Sequence, residues 1–278
     1  MANIAFLNNE FVEQDKASLS IFDRSILFSD AVYEVVCFID GKFLDFEAHI
    51  LRLERSLSRL SINYPFKSSD ILNNARELAK RNGYKNGIIY IQVTRGAASR
   101  DFVIGEHLKP ILFMFAAERS IESLLEAKTL TLQTHKDKRW ALCDIKTTQL
   151  LYASLAKTAA NKAGYDDALL VKDGFITEAS SANFHIIDVN GALVTRPTDG
   201  AILPGITRAT LIELARELNI EVIERPIAVD ELKFAKEAFI SSATTFVHPV
   251  IEVDDVAIGT GEVSKMLRKI YLEKVTRI

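Results

Sequence analysis

The sequence predicts an α+β fold. Short apolar strands closed by tight turns recur along the whole chain, and amphipathic helical stretches fall between them without regular strand–helix alternation. A third observation agrees: GxGxxG, GxxxxGK[ST] and HExxH are all absent, so no dinucleotide, P-loop or zincin site is expected. The chain has 278 residues, of which 48% are apolar, enough for one large domain or two modest ones.

Each element has its own signal. Residues 4–8 and 10–12 alternate around an Asn8-Asn9 turn. Residues 33–39 and 42–45 flank Asp40-Gly41, a strong hairpin signal. In 46–61, Phe46, Ile50, Leu53, Leu57 and Leu60 share one helical face, with His49, Arg52, Arg55 and Arg59 off its centre. A helix at 69–82 stops near Gly83. Segments 88–94 and 111–115 read as buried strands, separated by the polar loop 95–109. Residues 119–122 read as a linker that divides 1–118 from 123–278. Strand 129–134 opens the second part, and a helix at 150–163 stops at Gly164. Strands at 168–171 and 175–177 turn at Lys172-Asp173-Gly174, and strands at 184–188 and 192–195 turn at Val189-Asn190-Gly191. A helix at 205–218, a strand at 221–225 and a short helix at 229–234 follow. Strands at 238–242 and 250–253 and a helix at 261–273 complete the pattern.

Composition narrows the function. Net charge is −3 with the two signs interspersed, so no basic stripe for nucleic acid is expected. No apolar run approaches the roughly 20 residues of a membrane helix. The opening stretch 1–6 lacks the charged start and long apolar run of a secretory leader, so a cytoplasmic location is expected. Cys37 and Cys143 lack CxxC spacing, which predicts two reduced thiols and no metal site.

Three stretches carry candidate chemistry. Lys146 follows the apolar run Trp140-Ala141-Leu142-Cys143, and a lysine in partly apolar surroundings is a neutral amine nucleophile toward an aldehyde. Glu178 follows a strand and precedes small polar residues, where a carboxylate suits a ring nitrogen. Gly205-Ile206-Thr207 opens a helix whose unpaired amides favour an anion. Arg52 offers a planar fork for the same anion. Ser242-Ala243-Thr244 ends a strand with hydroxyls and amides. Taken singly, each of these residues is ordinary. Together the lysine, carboxylate and helix start suit the aldehyde, ring nitrogen and phosphate of pyridoxal 5'-phosphate.

The chain resembles the fold-type IV pyridoxal-phosphate enzymes, and among them the D-amino-acid transaminases. The resemblance spans nearly the whole chain. It rests on Arg139-Trp140-Ala141-Leu142-Cys143-Asp144-Ile145-Lys146, Thr177-Glu178-Ala179-Ser180-Ser181-Ala182-Asn183 and Leu203-Pro204-Gly205-Ile206-Thr207-Arg208, with Gln92-Val93-Thr94-Arg95-Gly96 pointing to the subgroup. It implies a small N-terminal α/β domain, a larger C-terminal pseudo-barrel domain, and a homodimer with the cofactor between domains. By the same resemblance, Lys146 joins the cofactor as a Schiff base and then moves a proton, and Glu178 meets the pyridine nitrogen. Arg52, Ile206 and Thr207 bind phosphate with help from Ser242, Ala243 and Thr244. Tyr33, Ala179 and Ser180 lie beside the substrate, and Arg100 matches the arginine of a carboxylate clamp supplied by the partner subunit. Phe102 replaces the histidine of that clamp, and Ala243 replaces a hydroxyl residue. The expected reaction moves an amino group from a D-amino acid to a 2-oxo acid. A branched-chain L-amino-acid or (R)-amine transaminase, an aminodeoxychorismate lyase and a non-catalytic binding protein remain alternatives at this stage.

Overall fold

A computed structural model describes residues 3–276; Met1 and Ala2 of the opening stretch, and the last two residues, lie outside it. Contacts divide the chain into two units. One runs to Leu124 and takes back Ile145–Gln149; the other holds Leu125–Asp144 and everything from Leu150.

The first unit contains β1 (Ile4–Leu7), β2 (Glu10–Glu13), α1 (Arg24–Phe28), β3 (Ala31–Ile39), β4 (Lys42–Phe43), α2 (Phe46–Arg59), α3 (Ser68–Arg81), β5 (Gly87–Thr94) and β6 (Ile111–Glu118). Its sheet has the order β2-β1-β6-β5-β3-β4, and its ladders are antiparallel. Helix α2 buries Phe46, Ile50, Leu53 and Leu57, the stripe that its 3.6-residue period dictates. Each such apolar side chain contributes about 1.5–3 kcal/mol when removed from water.

His49 and Arg52, off the centre of the stripe, are 2% and 9% exposed. Glu34 draws them in. It lies in the apolar run of β3, is fully buried, and so requires partners of opposite charge.

Helix α4 (Ile121–Leu125) leads to the second unit. That unit contains β7 (Leu130–Lys136), α5 (Leu151–Lys162), β8 (Asp167–Lys172), β9 (Phe175–Ala179), β10 (Asn183–Ile187), β11 (Leu193–Thr195), α6 (Ile206–Glu217), β12 (Val222–Glu224), β13 (Ile227–Ala228), β14 (Glu237–Ser242), β15 (Phe246–Val253), β16 (Val256–Ala257) and α7 (Glu262–Thr276). The sheet order is β12-β11-β10-β14-β15-β7-β8-β9-β13, with β16 on β15. The edge strands β12 and β13 are separated in sequence only by Arg225 and Pro226. The sheet therefore curls until its ends approach, as a partly open barrel does. Its interior is packed by residues such as Leu132, Leu169, Ile176, Phe184, Ile240 and Val250. The α+β class is as expected from the sequence.

Candidate active site

Lys146 is held by the first unit. Strand β4 pairs only with Phe38 and Ile39, so the start of β3 would be an open edge. Residues 145–148 cover it. The Tyr33 amide donates to the Lys146 carbonyl at 3.0 Å, the Thr148 amide to the Ala31 carbonyl at 3.3 Å, and the Thr148 hydroxyl to the Ser29 carbonyl at 3.1 Å. Backbone pairing fixes where the lysine leaves the chain. Its Nζ lies 4.3 Å from the centroid of the Tyr33 ring. Tyr33 in turn stacks on Tyr90 at 5.3 Å, and Tyr90 on Phe115 at 4.8 Å. The amine therefore sits against an aromatic face, half-buried.

Next along β3 is Glu34. Its carboxylate accepts Arg52 Nε on Oε1 and Arg52 Nη2 on Oε2, each at 2.7 Å, a bidentate fork. Its Oε2 also meets His49 Nδ1 at 2.7 Å. Burial alone would raise the Glu34 carboxyl, but the Arg52 charge and these bonds outweigh it and bring it down to about 2. For His49 burial dominates, and its pKa falls below the usual value. The fork orients the Arg52 guanidinium from behind.

Arg100 lies in the loop after β5, on the surface. Its guanidinium carbon is 5.8 Å from both the Phe28 and Phe102 rings, which meet edge-on at 5.6 Å. No hydrogen bond or ring contact joins Arg100 to Tyr33 or Lys146. Phe102 is 80% exposed.

The carboxylate half belongs to the second unit. Glu178, on β9, is 6% exposed. Its Oε1 accepts Arg139 Nη1, and its Oε2 accepts Asn183 Nδ2 at 3.1 Å and the Leu203 amide at 3.2 Å. Arg139 is held from its other side by Asp137. Nε donates to Oδ1 at 3.0 Å and Nη2 to Oδ2 at 2.7 Å. Burial alone would raise the Asp137 carboxyl, but the bonds and charge of Arg139 hold it below its usual range. Burial alone would lower Arg139, but the two carboxylates keep it firmly protonated.

Asn183 links this cluster to the start of α6. Its Nδ2 also donates to the Leu203 carbonyl at 2.9 Å, and its Oδ1 would lie 2.0 Å from a Cβ placed on Gly205. Only glycine fits there. Gly205 is the N-cap of α6 and Ile206 its first residue. Thr207 follows, 2% exposed, and its hydroxyl is buried without a hydrogen-bond partner; the Ser180 hydroxyl is in the same position. A buried, unsatisfied hydroxyl at a helix start suits an anion, and a phosphate oxygen would satisfy it. The turn after β14 is self-supporting: Ser242 Oγ meets Thr245 Oγ1 at 2.8 Å and accepts the Thr245 amide at 3.2 Å.

The sequence-selected residues thus form two groups. Lys146, Tyr33 and Arg52 gather around β3 in the first unit. Glu178, Ile206 and Thr207 gather around β9 and α6 in the second, which also carries Ala179, Ser180 and the Ser242–Thr244 turn. The partners Glu34, His49, Asp137 and Asn183 did not stand out in the sequence. Glu34 had a visible signal: a lone carboxylate in Ala-Val-Tyr-Glu-Val-Val-Cys-Phe-Ile must find a cation inside. Among the described residues, no group of three or more His, Cys, Asp or Glu is placed to hold a metal ion, and no helix is long and apolar enough to cross a membrane. Cys37 and Cys143 are free.

Known proteins resemble this chain along most of its length. A family model for amino-transferase class IV matches residues 31–253. The D-alanine aminotransferase of Listeria monocytogenes serotype 1/2a (strain 10403S) is 34% identical over 279 residues, covering 98% of this chain and 96% of that protein. The D-alanine aminotransferase of Bacillus licheniformis is 33% identical over 254 residues, covering 91% and 89%. The solved T.th. branched-chain amino acid aminotransferase with pyridoxamine 5'-phosphate superposes with a TM-score of 0.90 at 26% identity, covering 100% of this chain and 95% of that one. With an amine held beside β3, a buried carboxylate on β9 and a family match across both units, this chain belongs to the class IV aminotransferases.

Proposed function

We propose that the protein is a D-amino-acid transaminase that moves an amino group from a D-amino acid, such as D-alanine or D-glutamate, to a 2-oxo acid. Similarity to D-alanine aminotransferases across 98% of the chain carries this reading. The residues fit pyridoxal 5'-phosphate: an amine for its aldehyde, a buried carboxylate for its ring nitrogen, and an unsatisfied Thr207 hydroxyl at a helix start for its phosphate. When bound, that cofactor supplies an electron-withdrawing ring that stabilises charge at the substrate α-carbon.

In this reading the protein's own groups do the rest. Lys146 Nζ would hold the cofactor by its aldehyde carbon and, as a free amine, would take and return the substrate α-proton as base and acid in turn. Glu178 keeps the ring nitrogen protonated. Arg52, Ile206, Thr207 and the Ser242–Thr244 turn hold the phosphate. Tyr33, Ala179, Ser180 and Arg100 orient the substrate. The two half-reactions make the kinetics ping-pong.

The partner is a second copy of the chain. Ile21, Phe22, Ile26, Phe102 and Val103 are exposed apolar residues of the first unit, 53–80% exposed, and such patches mark interaction surfaces. Sedimentation at micromolar concentration checks this; a monomer sinks it. The free thiols support a reducing, cytoplasmic location.

The test of the reaction is incubation with D-alanine and 2-oxoglutarate, followed by chiral analysis of the glutamate formed. D-glutamate is expected. L-Glutamate from L-leucine, with D-alanine inert, would replace this reading by the branched-chain one, which the resemblance to branched-chain enzymes of known structure favours.

A further inference from the structure

The Asp137–Arg139–Glu178 cluster has a consequence beyond anchoring. One guanidinium serves two carboxylates. Arg139 uses Nε and Nη2 on Asp137 and Nη1 on Glu178, and all three side chains are at most 12% exposed. Asp137 is fixed independently: its amide donates to the Val171 carbonyl at 2.7 Å, and the Thr177 hydroxyl lies 2.8 Å from its Oδ2. Thr177 is the neighbour of Glu178 on β9, so Asp137 and Glu178 are tied to the same strand.

Consider the charges. With Arg139 alone, Glu178 would belong to a neutral pair and would present little negative charge to anything else. With Asp137 present, the guanidinium is shared, and the three groups together carry one net negative charge. We propose that Asp137 and Arg139 are opposing positioning residues that set how much negative charge the Glu178 carboxylate offers a ligand. The link to a ring nitrogen rests on the function proposed above; the coupling itself does not. Of the other titratable groups nearby, Cys143 acts on Arg139, Tyr152 feels the charges of Asp137 and Arg139, and Lys172 acts on Cys143.

Opposition gives a signature that mere support of the fold would not. D137N frees Arg139 to serve Glu178 alone, so Glu178 should titrate lower. R139Q leaves two carboxylates without their shared cation, so Glu178 should titrate higher. Shifts of about one pH unit each way are expected for charges at hydrogen-bond distance. A merely structural pair would move Glu178 in the same direction when either member is lost.

The experiment is carboxyl-carbon NMR on protein labelled at glutamate, with E178Q identifying the resonance, on wild type, D137N, R139Q and R139K without cofactor. R139K keeps the charge and loses the fork, and should titrate near wild type. The same proteins are then loaded with ring-15N pyridoxal phosphate, and the ring-nitrogen shift is followed against pH. The ring should lose its proton at lower pH in D137N and hold it to higher pH in R139Q. Shifts of Glu178 in one direction for both variants, or no shift for either, overturn the proposal. If R139Q does not fold, an unchanged or raised Glu178 titration in D137N overturns it alone. Opposed Glu178 shifts in D137N and R139Q, together with a wild type that takes up no pyridoxal phosphate, would sink the function reading and leave the coupling standing.

Discussion

Two of the buried ion clusters solve opposite problems. Around β3, one carboxylate, Glu34, serves one guanidinium and one imidazole. Around β9, one guanidinium, Arg139, serves two carboxylates. The first trio is balanced with His49 neutral, and its work is to hold Arg52 in one orientation. The second carries an excess negative charge, and its work is to offer that charge. Burial raises the stakes of both, because removing one member leaves an unpaired charge in a low dielectric. The difference teaches that a buried salt bridge is not one device. Its stoichiometry decides whether it locks a side chain or presents one.

Removing the reactive amine tests the lysine half most severely. K146A should lower glutamate formation by at least about 10²–10⁴-fold, the loss expected for a general acid–base group. Its melting temperature should stay near wild type, since the backbone pairs that cover β3 are unchanged. A modest drop in turnover would show that the amine is not in the chemistry.

Breaking the balanced trio should act on stability. E34Q leaves Arg52 without its charge partner, at a cost of about 3–5 kcal/mol, or a fall in melting temperature of about 10 °C. The pH dependence sharpens this. Glu34 is held down to about 2, so its contribution is present above its unfolded value and is lost as pH falls through about 2. Wild type should therefore lose roughly 3 kcal/mol more than E34Q between about pH 4.5 and pH 2. Parallel acid-unfolding curves for the two would show that Glu34 is not bound in that trio.

Smaller effects are expected at the second cluster's rim. G205A places a methyl against Asn183 Oδ1, 2.0 Å away before relaxation, and should destabilise the protein by about 1–3 kcal/mol, read by urea unfolding. It should also weaken pyridoxal phosphate binding, because Asn183 braces Glu178. T207V removes the unsatisfied hydroxyl while keeping shape. Affinity for pyridoxal phosphate should fall about 5–10-fold, the worth of one hydrogen bond, while stability without cofactor holds or rises. A loss of stability without loss of affinity would show that Thr207 packs rather than binds.

Much of this was legible in the sequence, for local reasons. The stripe of α2 and the Asp40-Gly41 hairpin follow from residues a few positions apart. The start of α6 at Gly205-Ile206-Thr207 is equally local. Lys146 and Glu178 stood out because each interrupts or ends a patterned run. Three things were hidden. Helix α1 and strands β13 and β16 span five, two and two residues, too short for a period to show. The burial of His49 and Arg52 depends on Glu34, fifteen and eighteen positions away. The bond from Arg139 to Glu178 spans 39 residues. Ion clusters assembled from distant segments leave no local mark, and a buried charge announces only that a partner exists.

The chain visits the first unit twice, and the second visit, Ile145–Gln149, brings Lys146. The unit that cradles this amine therefore cannot encode it in one continuous stretch. Cutting the gene after Leu124 would yield a fragment with the start of β3 uncovered and without Lys146. Lys146 reaches its place through a return of the polypeptide rather than through the run of its first 124 residues.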